Sequence, residues 1–303
     1  MISNSKSYNP PKSIGYFILH CFLFSCISTL TKKLMISGIS IIQILSFQTF
    51  FACLFLLFFE RNFFNPLPSR KKLFSHFIRA VFWLIATGMF FLNLDLVPLP
   101  RAVALSFSTP LFTTILAVLI LKETIQKNYV IAIIFGFVGI FIILKPNFHG
   151  ETIGSLMILC SCILWSCTDI IIKHLGLVDK NTTITWFYSF FSFLLLLPIL
   201  PFYWQNLSLD QLMILILIGL MFLINIIVLT HSYQIGNLTT IQPFAFFNLV
   251  FISVLSYFIF NEIVKLSTII GSLVIIISSS FIAYQEHKNH KKFIAKHIGK
   301  EVI

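Results

Sequence analysis

The sequence predicts an all-α membrane protein of ten transmembrane helices, arranged as two inverted repeats of five helices each. Its composition is 58% hydrophobic and 10% charged, whereas about 25% of residues are charged in an average soluble domain. Apolar runs of about 20 residues, the length that crosses roughly 30 Å of hydrocarbon, recur along the whole chain. The third observation is an internal repeat with an offset of 139 residues.

The repeat is visible at the ends of the apolar runs. Glu123 and Glu262 each end a long apolar run and begin a short polar link, and Gly15 matches Gly154 at the same offset. Internal duplication is common in secondary transporters. Because five crossings is an odd number, the second copy must enter the membrane from the opposite side. The two copies are therefore predicted to be related by a two-fold axis in the membrane plane.

The apolar runs place the ten spans in order. They are predicted at residues 14–35, 39–59, 74–94, 102–121, 129–145, 153–173, 183–200, 211–231, 238–260 and 266–284. The first repeat then covers 14–146 and the second 153–284, with an N-terminal tail at 1–13 and a basic tail at 285–303. The first span is too long for the apolar region of a signal peptide, so we expect it to be retained.

The distribution of positive charge predicts the orientation. The net charge is +11, and sixteen of the 21 Lys and Arg residues lie on the side of the two termini. The other side holds five, which are Lys32, Lys33, Arg101, Lys145 and Lys265. Cytoplasmic loops accumulate Lys and Arg, so both termini are predicted to be cytoplasmic. No aromatic or shaped surface accompanies the basic charge, which argues against a nucleic-acid partner.

The cysteines do not indicate redox or metal chemistry. All six lie inside predicted spans, and none forms a Cys-x-x-Cys pair. Buried cysteine behaves as a small hydrophobic residue. No metal site and no cofactor are predicted.

Asp169 is the clearest polar candidate, because it is the only carboxylate well inside a predicted span. Ser161, Trp165, Asp169 and Lys173 follow one another at a spacing of four residues and share a helix face. Asp169 either lines a cavity, where it binds a cationic group or a coupling proton, or pairs with Lys173 towards the interface. Trp165 either stacks on a planar or cationic substrate or packs between helices.

Further candidates for a substrate pathway are polar residues in spans 1, 4, 8 and 9. They are Ser25, Ser28, Thr29, Ser106, Thr109, Asn225, Gln242 and Asn248. For each hydroxyl residue taken alone, helix–helix packing is the more common role. Spans 4 and 9 are related by the repeat and carry Pro110 and Pro243, which favours a position beside the pathway. His20 is interpreted as a packing residue, and Glu123 and Glu262 as fold markers that cap or pair locally.

Several segments resemble the drug/metabolite transporter superfamily of EamA type. They are Leu105–Val118 with Lys122-Glu123, Gly136–Gly139, Leu144–Pro146, Gln242–Phe244 and Phe260–Glu262. The resemblance extends from about Gly15 to Tyr284. It implies ten helices in two inverted EamA repeats, no catalysis, and a central cavity lined mainly by helices 1, 3, 4, 6, 8 and 9.

Three stretches resemble more closely the S-adenosylmethionine uptake carriers of obligate intracellular bacteria. They lie around Pro110, Thr168–Ile171 and Phe258–Glu262. The chain departs from those carriers at Asn248 and Ala245, where they have Glu and Arg. The resemblance implies S-adenosylmethionine as a candidate substrate and a bacterial inner membrane as the location.

The sequence therefore favours a secondary transporter for a small polar metabolite, with the substrate and the lipid bilayer as its partners. An exporter of amino acids or toxic metabolites is an alternative. An intramembrane lipid-modifying enzyme would need at least two convergent acid–base or metal-binding groups, and only Asp169 is available, so we predict that the chain is not an enzyme. A passive pore or scaffold should tolerate Asp169→Ala. Direction, coupling ion and a homodimer stay open.

Overall fold

The structure is a computed structural model, and it describes nearly all of the predicted membrane region. The described residues are 10–59, 69–121, 127–144, 150–176, 181–235, 244, 247–278, 280–281 and 284. Glu123, Gln242 and the side chain of Asp169 lie outside them. The described part of the chain is helical and contains no strand, which confirms the all-α class.

Eleven α-helices and one short 3-10 helix, Leu200–Tyr203, occur in these ranges. The α-helices are α1 Pro10–Ile36, α2 Ile41–Phe59, α3 Arg70–Leu92, α4 Leu99–Ser106, α5 Thr109–Leu121, α6 Lys127–Leu144, α7 Gly150–Gly176, α8 Asn181–Leu196, α9 Leu209–Ile235, α10 Phe247–Phe260 and α11 Leu266–Ser278.

Apolar helices dominate this architecture. Five of the helices (α1, α2, α3, α7 and α9) are long and apolar enough to cross a membrane. Shorter apolar stretches lie in α6, α8, α10 and α11. The chain is therefore built as a multi-pass membrane protein, and the number of ten spans stays a prediction.

The fourth predicted span, 102–121, differs from a single continuous helix. It consists of α4 and α5, separated at Phe107 and Ser108. Pro110 has no N–H, so it cannot donate the helical hydrogen bond to the carbonyl of Ser106. The backbone tightens instead, with Phe107 N–H bonded to Ala104 O at 3.3 Å and Ser108 N–H to Leu105 O at 3.0 Å.

Several helix pairs join segments that are far apart in the sequence. Helix α1 lies against α9 and α10, α3 lies against α7 and α8, and α4 contacts both α7 and α10. Helices α1 and α9 run in opposite directions, since Ser13 meets Ser232 at one end while His20 meets Asn225 further along.

Helices α6 and α11 cross closely at two glycines, one from each repeat. A Cβ on Gly139 would lie 2.8 Å from the carbonyl oxygen of Gly271, and a Cβ on Gly271 would lie 2.7 Å from that of Gly139. Gly139 faces the turn from Gly271 to Ile275, and Gly271 faces the turn from Gly139 to Ile143. This reciprocal pattern requires the two helices to run in opposite directions, as the fifth helices of inverted repeats do.

Candidate functional site

The structure brings the polar residues of α1 into contact with α10. The Ser25 hydroxyl donates to the carbonyl of Cys21 at 2.8 Å and lies 3.3 Å from the carbonyl of Asn248. The Thr29 hydroxyl donates to Ser25 O at 2.8 Å. Among the described residues, neither the buried Asn248 Oδ1 nor the buried Ser28 Oγ has a hydrogen-bond partner. Two buried polar atoms in this region therefore have unused hydrogen-bonding capacity in the described part of the chain.

His20 and Asn225 form a pair between α1 and α9. The His20 Nδ1 is hydrogen-bonded to Asn225 Oδ1. An amide oxygen only accepts, so Nδ1 carries the proton in this pair. The His20 ring has its centroid 5.6 Å from that of Phe17 and 6.3 Å from that of Phe24. The interpretation of His20 as a packing residue fits these contacts, and its partner is one of the predicted pathway residues.

An aromatic cluster adjoins these polar groups. It consists of Phe17 on α1, Phe247 and Phe251 on α10, and Phe244, which precedes α10 in the ninth predicted span. Phe244 and Phe247 are stacked, with centroids 6.4 Å apart and ring planes inclined by 5°. The polar residues of α1 and α10 therefore lie next to aromatic faces.

The side chain of Trp165, on α7, contacts residues of α3. Its indole N–H is 3.4 Å from the hydroxyl of Thr87, and its ring centroid is 5.3 Å from that of Phe90. Ser161, one turn earlier on α7, is buried and donates to Ile158 O at 2.6 Å. The side chain of Asp169 is not described, so its position beside these residues stays a prediction.

Helix α7 also packs against the break between α4 and α5. The Ser166 hydroxyl is 3.0 Å from the carbonyl of Thr109, and the Ser106 hydroxyl is 2.7 Å from Val103 O. The Ser108 Oγ is buried at the break and has no hydrogen-bond partner among the described residues. Because α4 contacts both α7 and α10, it joins the Trp165 region to the Asn248 region.

Glu262 has long-range partners that sequence reasoning missed. Its Oε1 lies 2.5 Å from Lys32 Nζ, and its Oε2 accepts from the Leu99 N–H at 3.1 Å. The prediction that Glu262 caps or pairs locally is therefore wrong. Asn261 has a φ of 55° at the end of α10, which turns the chain so that Glu262 reaches the end of α1 and the start of α4.

A second set of ion pairs lies at the same end of the helices. Arg101 on α4 pairs with Glu151 on α7 and donates to the carbonyl of Leu144 at 2.7 Å. Lys265 lies 3.3 Å from Glu151. All three cations come from the side that was predicted to be poor in positive charge. The signal in the sequence is that these three cations and the carboxylates of Glu151 and Glu262 lie on the same predicted side of the membrane, although only the packing of the helices selects the pairs.

Arg79 occupies a different position from the one its charge suggested. Arg79 is one of the sixteen Lys and Arg residues assigned above to the side of the two termini, but α3 begins at Arg70 and carries Arg79 well inside the helix, where it is buried. The guanidinium carbon lies 4.7 Å from the ring centroid of Tyr188, and Nη1 is 3.5 Å from the carbonyl of Ile184. Arg79 thus links α3 to α8.

Residues 11–145 and 152–284 each match the EamA-like transporter family. The chain belongs to this family. The family occurs twice in the chain, in agreement with the internal repeat. Because it is a family of transporters, the predictions of an EamA-type transporter and of a protein that is not an enzyme are confirmed.

Relatives with different names match most of the chain. The S-adenosylmethionine uptake transporter of Rickettsia bellii is 28% identical over 281 residues, which cover 93% of this chain and 96% of the relative. Solute carrier family 35 member G1 of Mus musculus is 25% identical over 92% of this chain and 80% of its own. The riboflavin transporter of Brucella anthropi is 25% identical, over 70% of this chain and 76% of its own.

A solved structure described only as the crystal structure of a protein has the same fold. It superposes with a TM-score of 0.62 at 12% identity, and the match covers 90% of this chain and 97% of the other. At this identity the likeness concerns the fold alone.

Proposed function

We propose that this EamA transporter carries a small polar metabolite across a bacterial inner membrane by alternating access, with S-adenosylmethionine as the candidate substrate. The observation that supports this substrate is the 28% identity to the Rickettsia bellii uptake transporter over 93% of the chain. Both termini are cytoplasmic in this proposal, since Lys and Arg concentrate on their side.

Inverted repeats provide the mechanism. Two units related by an axis in the membrane plane exchange conformations, so that one central site opens to each side in turn. The opposite directions of α6 and α11 at the Gly139–Gly271 crossing support the inversion. The ten spans would then form two five-helix units around the site.

The contact between α1 and α10 has the chemistry to bind such a substrate. S-adenosylmethionine carries a planar adenine, a sulfonium cation and an amino-acid group. Aromatic faces attract cations and planar rings, and the aromatic cluster offers several. A buried acceptor without a partner is costly, so a substrate N–H that reaches Asn248 Oδ1 gains a hydrogen bond at no loss to the protein. Ser25, Ser28, Thr29 and Asn225 complete this side of the proposed site.

The opposite side of the proposed site comes from α4, α5 and α7. Asp169 would bind the cationic group or a coupling proton, and Trp165 would stack on the substrate. The hydroxyl residues on this side are Ser106, Thr109 and Ser161, and Gln242 would contribute from the start of the ninth span. Ionisable groups inside membrane helices usually mark transport pathways, which supports the role of Asp169.

The test is counterflow by purified protein in liposomes. Labelled S-adenosylmethionine should enter vesicles preloaded with the unlabelled compound, saturably and faster than into empty vesicles. Asp169→Asn should abolish the exchange, whereas the passive-pore alternative predicts that transport survives and does not saturate. Exchange that survives Asp169→Asn with saturation would retain the transporter and remove Asp169 from the site.

A matched pair of variants on α10 tests the other side of the site. Asn248→Ala removes the buried acceptor, and we expect the KM for exchange to rise about tenfold, as for the loss of one good hydrogen bond. Ser253→Ala is the control, because the Ser253 hydroxyl bonds only to Leu249 O on its own helix at 2.5 Å in the contacts described. Equal KM values for the two variants would remove Asn248 from the site.

Riboflavin is the second candidate, because the Brucella anthropi relative is a riboflavin transporter. The liposome assay therefore includes riboflavin and an amino-acid mixture as competitors. A compound that trans-stimulates its own exchange is a transported substrate and identifies the substrate class. A compound that only displaces labelled S-adenosylmethionine can bind without being transported, so displacement alone does not identify the substrate class. Since alternating access is reversible, the same vesicles test the exporter alternative by measuring efflux.

A further inference from the structure

Five charged residues meet at one end of the helices. We call Lys32, Arg101, Glu151, Glu262 and Lys265 the ion-pair cluster. They come from the end of α1, the start of α4, the start of α7 and the link from α10 to α11. These positions share one end of the bundle, on the predicted outer side.

The cluster connects the two copies of the family. Lys32 and Arg101 belong to the stretch 11–145, while Glu262 and Lys265 belong to 152–284. Glu151 lies in the first turn of α7, the helix with which the second half begins. Both Lys32–Glu262 and Arg101–Glu151 therefore bridge the halves. The Leu99 N–H bond to Glu262 adds a third link between them.

Burial makes it costly to remove one partner from the Lys32–Glu262 pair, or to leave Arg101 without Glu151, whose own side chain is 43% exposed. The side chain of Lys32 is 8% exposed and that of Glu262 is 18% exposed, and that of Arg101 is 7% exposed. A buried ion left without its partner is strongly unfavourable, whereas full hydration of both ions roughly balances the pair. Such a contact favours two states, fully closed and fully open to water, over intermediates.

We propose that the ion-pair cluster is the gate that closes the outer end of the transport pathway, and that this structure is closed on that side. The proposal rests on the proposed transporter function. Opening separates Lys32 and Arg101 from the carboxylates of the second half, and water replaces both sets of bonds. Closing re-forms the pairs and seals the polar residues of α1 below them.

Thiol labelling measures the gate without any substrate. The six native cysteines are replaced by serine or alanine, and Ser28→Cys is introduced as a reporter, because Ser28 is buried on α1 one turn below Lys32. A membrane-impermeant maleimide is added from outside to intact cells. Labelling of a transiently opened site follows the population of the open state when opening and closing are fast.

Glu262→Gln is the test variant, and Asp95→Asn is its matched control. Asp95 is exposed in the link before α4, at the same end of the helices and outside the cluster. Neutralising Glu262 should raise the labelling rate of the reporter about tenfold, a ratio equivalent to about 1.4 kcal/mol. Asp95→Asn should change the rate by less than about twofold, as expected for a single surface charge. Equal rates in the two variants would overturn the gate.

Lys32→Gln gives a second, independent reading. It should also increase labelling, and the double variant with Glu262→Gln should label no faster than the faster single variant, because both remove one interaction. Additive effects would refute the pairing as the closing contact. Lys33→Cys tests the sidedness, because Lys33 is exposed and adjacent to Lys32. The new thiol should be labelled from outside in every variant. If it is protected from the maleimide, the cluster lies on the inner side and an outer gate is refuted.

Failure of the gate and failure of the transporter function are separable. If counterflow is normal and reporter labelling is insensitive to Glu262→Gln, the transporter stands and the gate is wrong. If labelling responds but no tested metabolite is exchanged, the gate stands and the substrate assignment is wrong.

Discussion

The crossing of α6 and α11 allows a quantitative prediction from Gly139→Ala. The new Cβ would lie 2.7 Å from Ile275 Cγ1 and 2.8 Å from the carbonyl oxygen of Gly271. The isoleucine side chain can rotate, but the backbone oxygen cannot move without the helix. Because ordinary contacts begin at 3.4 Å, the helices must separate locally by about 0.6 Å, which loosens the dispersion contacts along the crossing.

The cost can be estimated against an open glycine. Overpacking costs about 1–3 kcal/mol, while replacing a helical glycine by alanine returns up to about 1 kcal/mol through helix propensity. Gly88→Ala in α3 isolates the second effect, since a Cβ there would meet nothing within 4 Å. The difference between the two variants should therefore be about 1–3 kcal/mol, or roughly 2–6 °C in the apparent Tm.

The assay is thermal unfolding in detergent, in which the measured quantity is the fraction of protein that remains monodisperse after heating to each temperature. Gly139→Ala should unfold below the parent protein, and Gly88→Ala should unfold at or above it. Gly271→Ala should resemble Gly139→Ala, and the double variant should lose less than the sum, because the first substitution already separates the helices. Matching Tm values for Gly139→Ala and Gly88→Ala would refute the close crossing.

Asn225→Leu removes the hydrogen-bond partner of His20 and should destabilise the protein by about 1–3 kcal/mol, because the imidazole is left buried and unpaired. Adding His20→Leu removes that unpaired imidazole and should restore part of the stability. Arg79→Gln should cost about 1–2 kcal/mol through loss of the contact with the Tyr188 ring, whereas Tyr188→Phe should keep most of that contact. Both are measured as shifts in Tm. Pro110→Ala restores an N–H at the break between α4 and α5, so we expect a stable protein with slower counterflow.

Each of these has an outcome that contradicts it. A double variant of His20 and Asn225 that is less stable than Asn225→Leu would mean that His20 has other partners worth more than this pair. Equal losses for Arg79→Gln and Tyr188→Phe would show that the tyrosine hydroxyl, rather than its ring, matters. Unchanged exchange in Pro110→Ala would remove the break from the mechanism.

The sequence predicts the class and the family because those depend on local and repeated features. Apolar runs and the segment around Pro110 are each readable within a short window, and the repeat is readable from the constant offset between its two copies. The position of the break is less accessible. Pro110 removes a bond to Ser106, but whether the helix bends or separates depends on the packing of α7, including the Ser166 hydroxyl on Thr109 O.

The candidate site could be predicted only in part, because its contacts join distant segments. Ser25 and Asn248 were both candidates because they are polar residues inside predicted spans, yet their contact depends on α1 lying beside α10. Glu262 was recognised as a marker of the repeat, but its partner Lys32 is 230 residues away. A helix-end carboxylate has many local partners to choose from in sequence, and only the packing of the two halves selects the distant one.

The ion-pair cluster also explains how the predicted outer side tolerates buried cations. A charge in or near the hydrocarbon region is expensive unless it is paired. The two partners are not equivalent, however. Glu262→Gln leaves Lys32 charged, with 8% of its side chain exposed, and no carboxylate opposite it. Lys32→Gln leaves Glu262 more exposed and still bonded to the Leu99 N–H. The carboxylate variant should therefore open the gate further and lower the stability more, and equal effects would contradict this difference between the two partners.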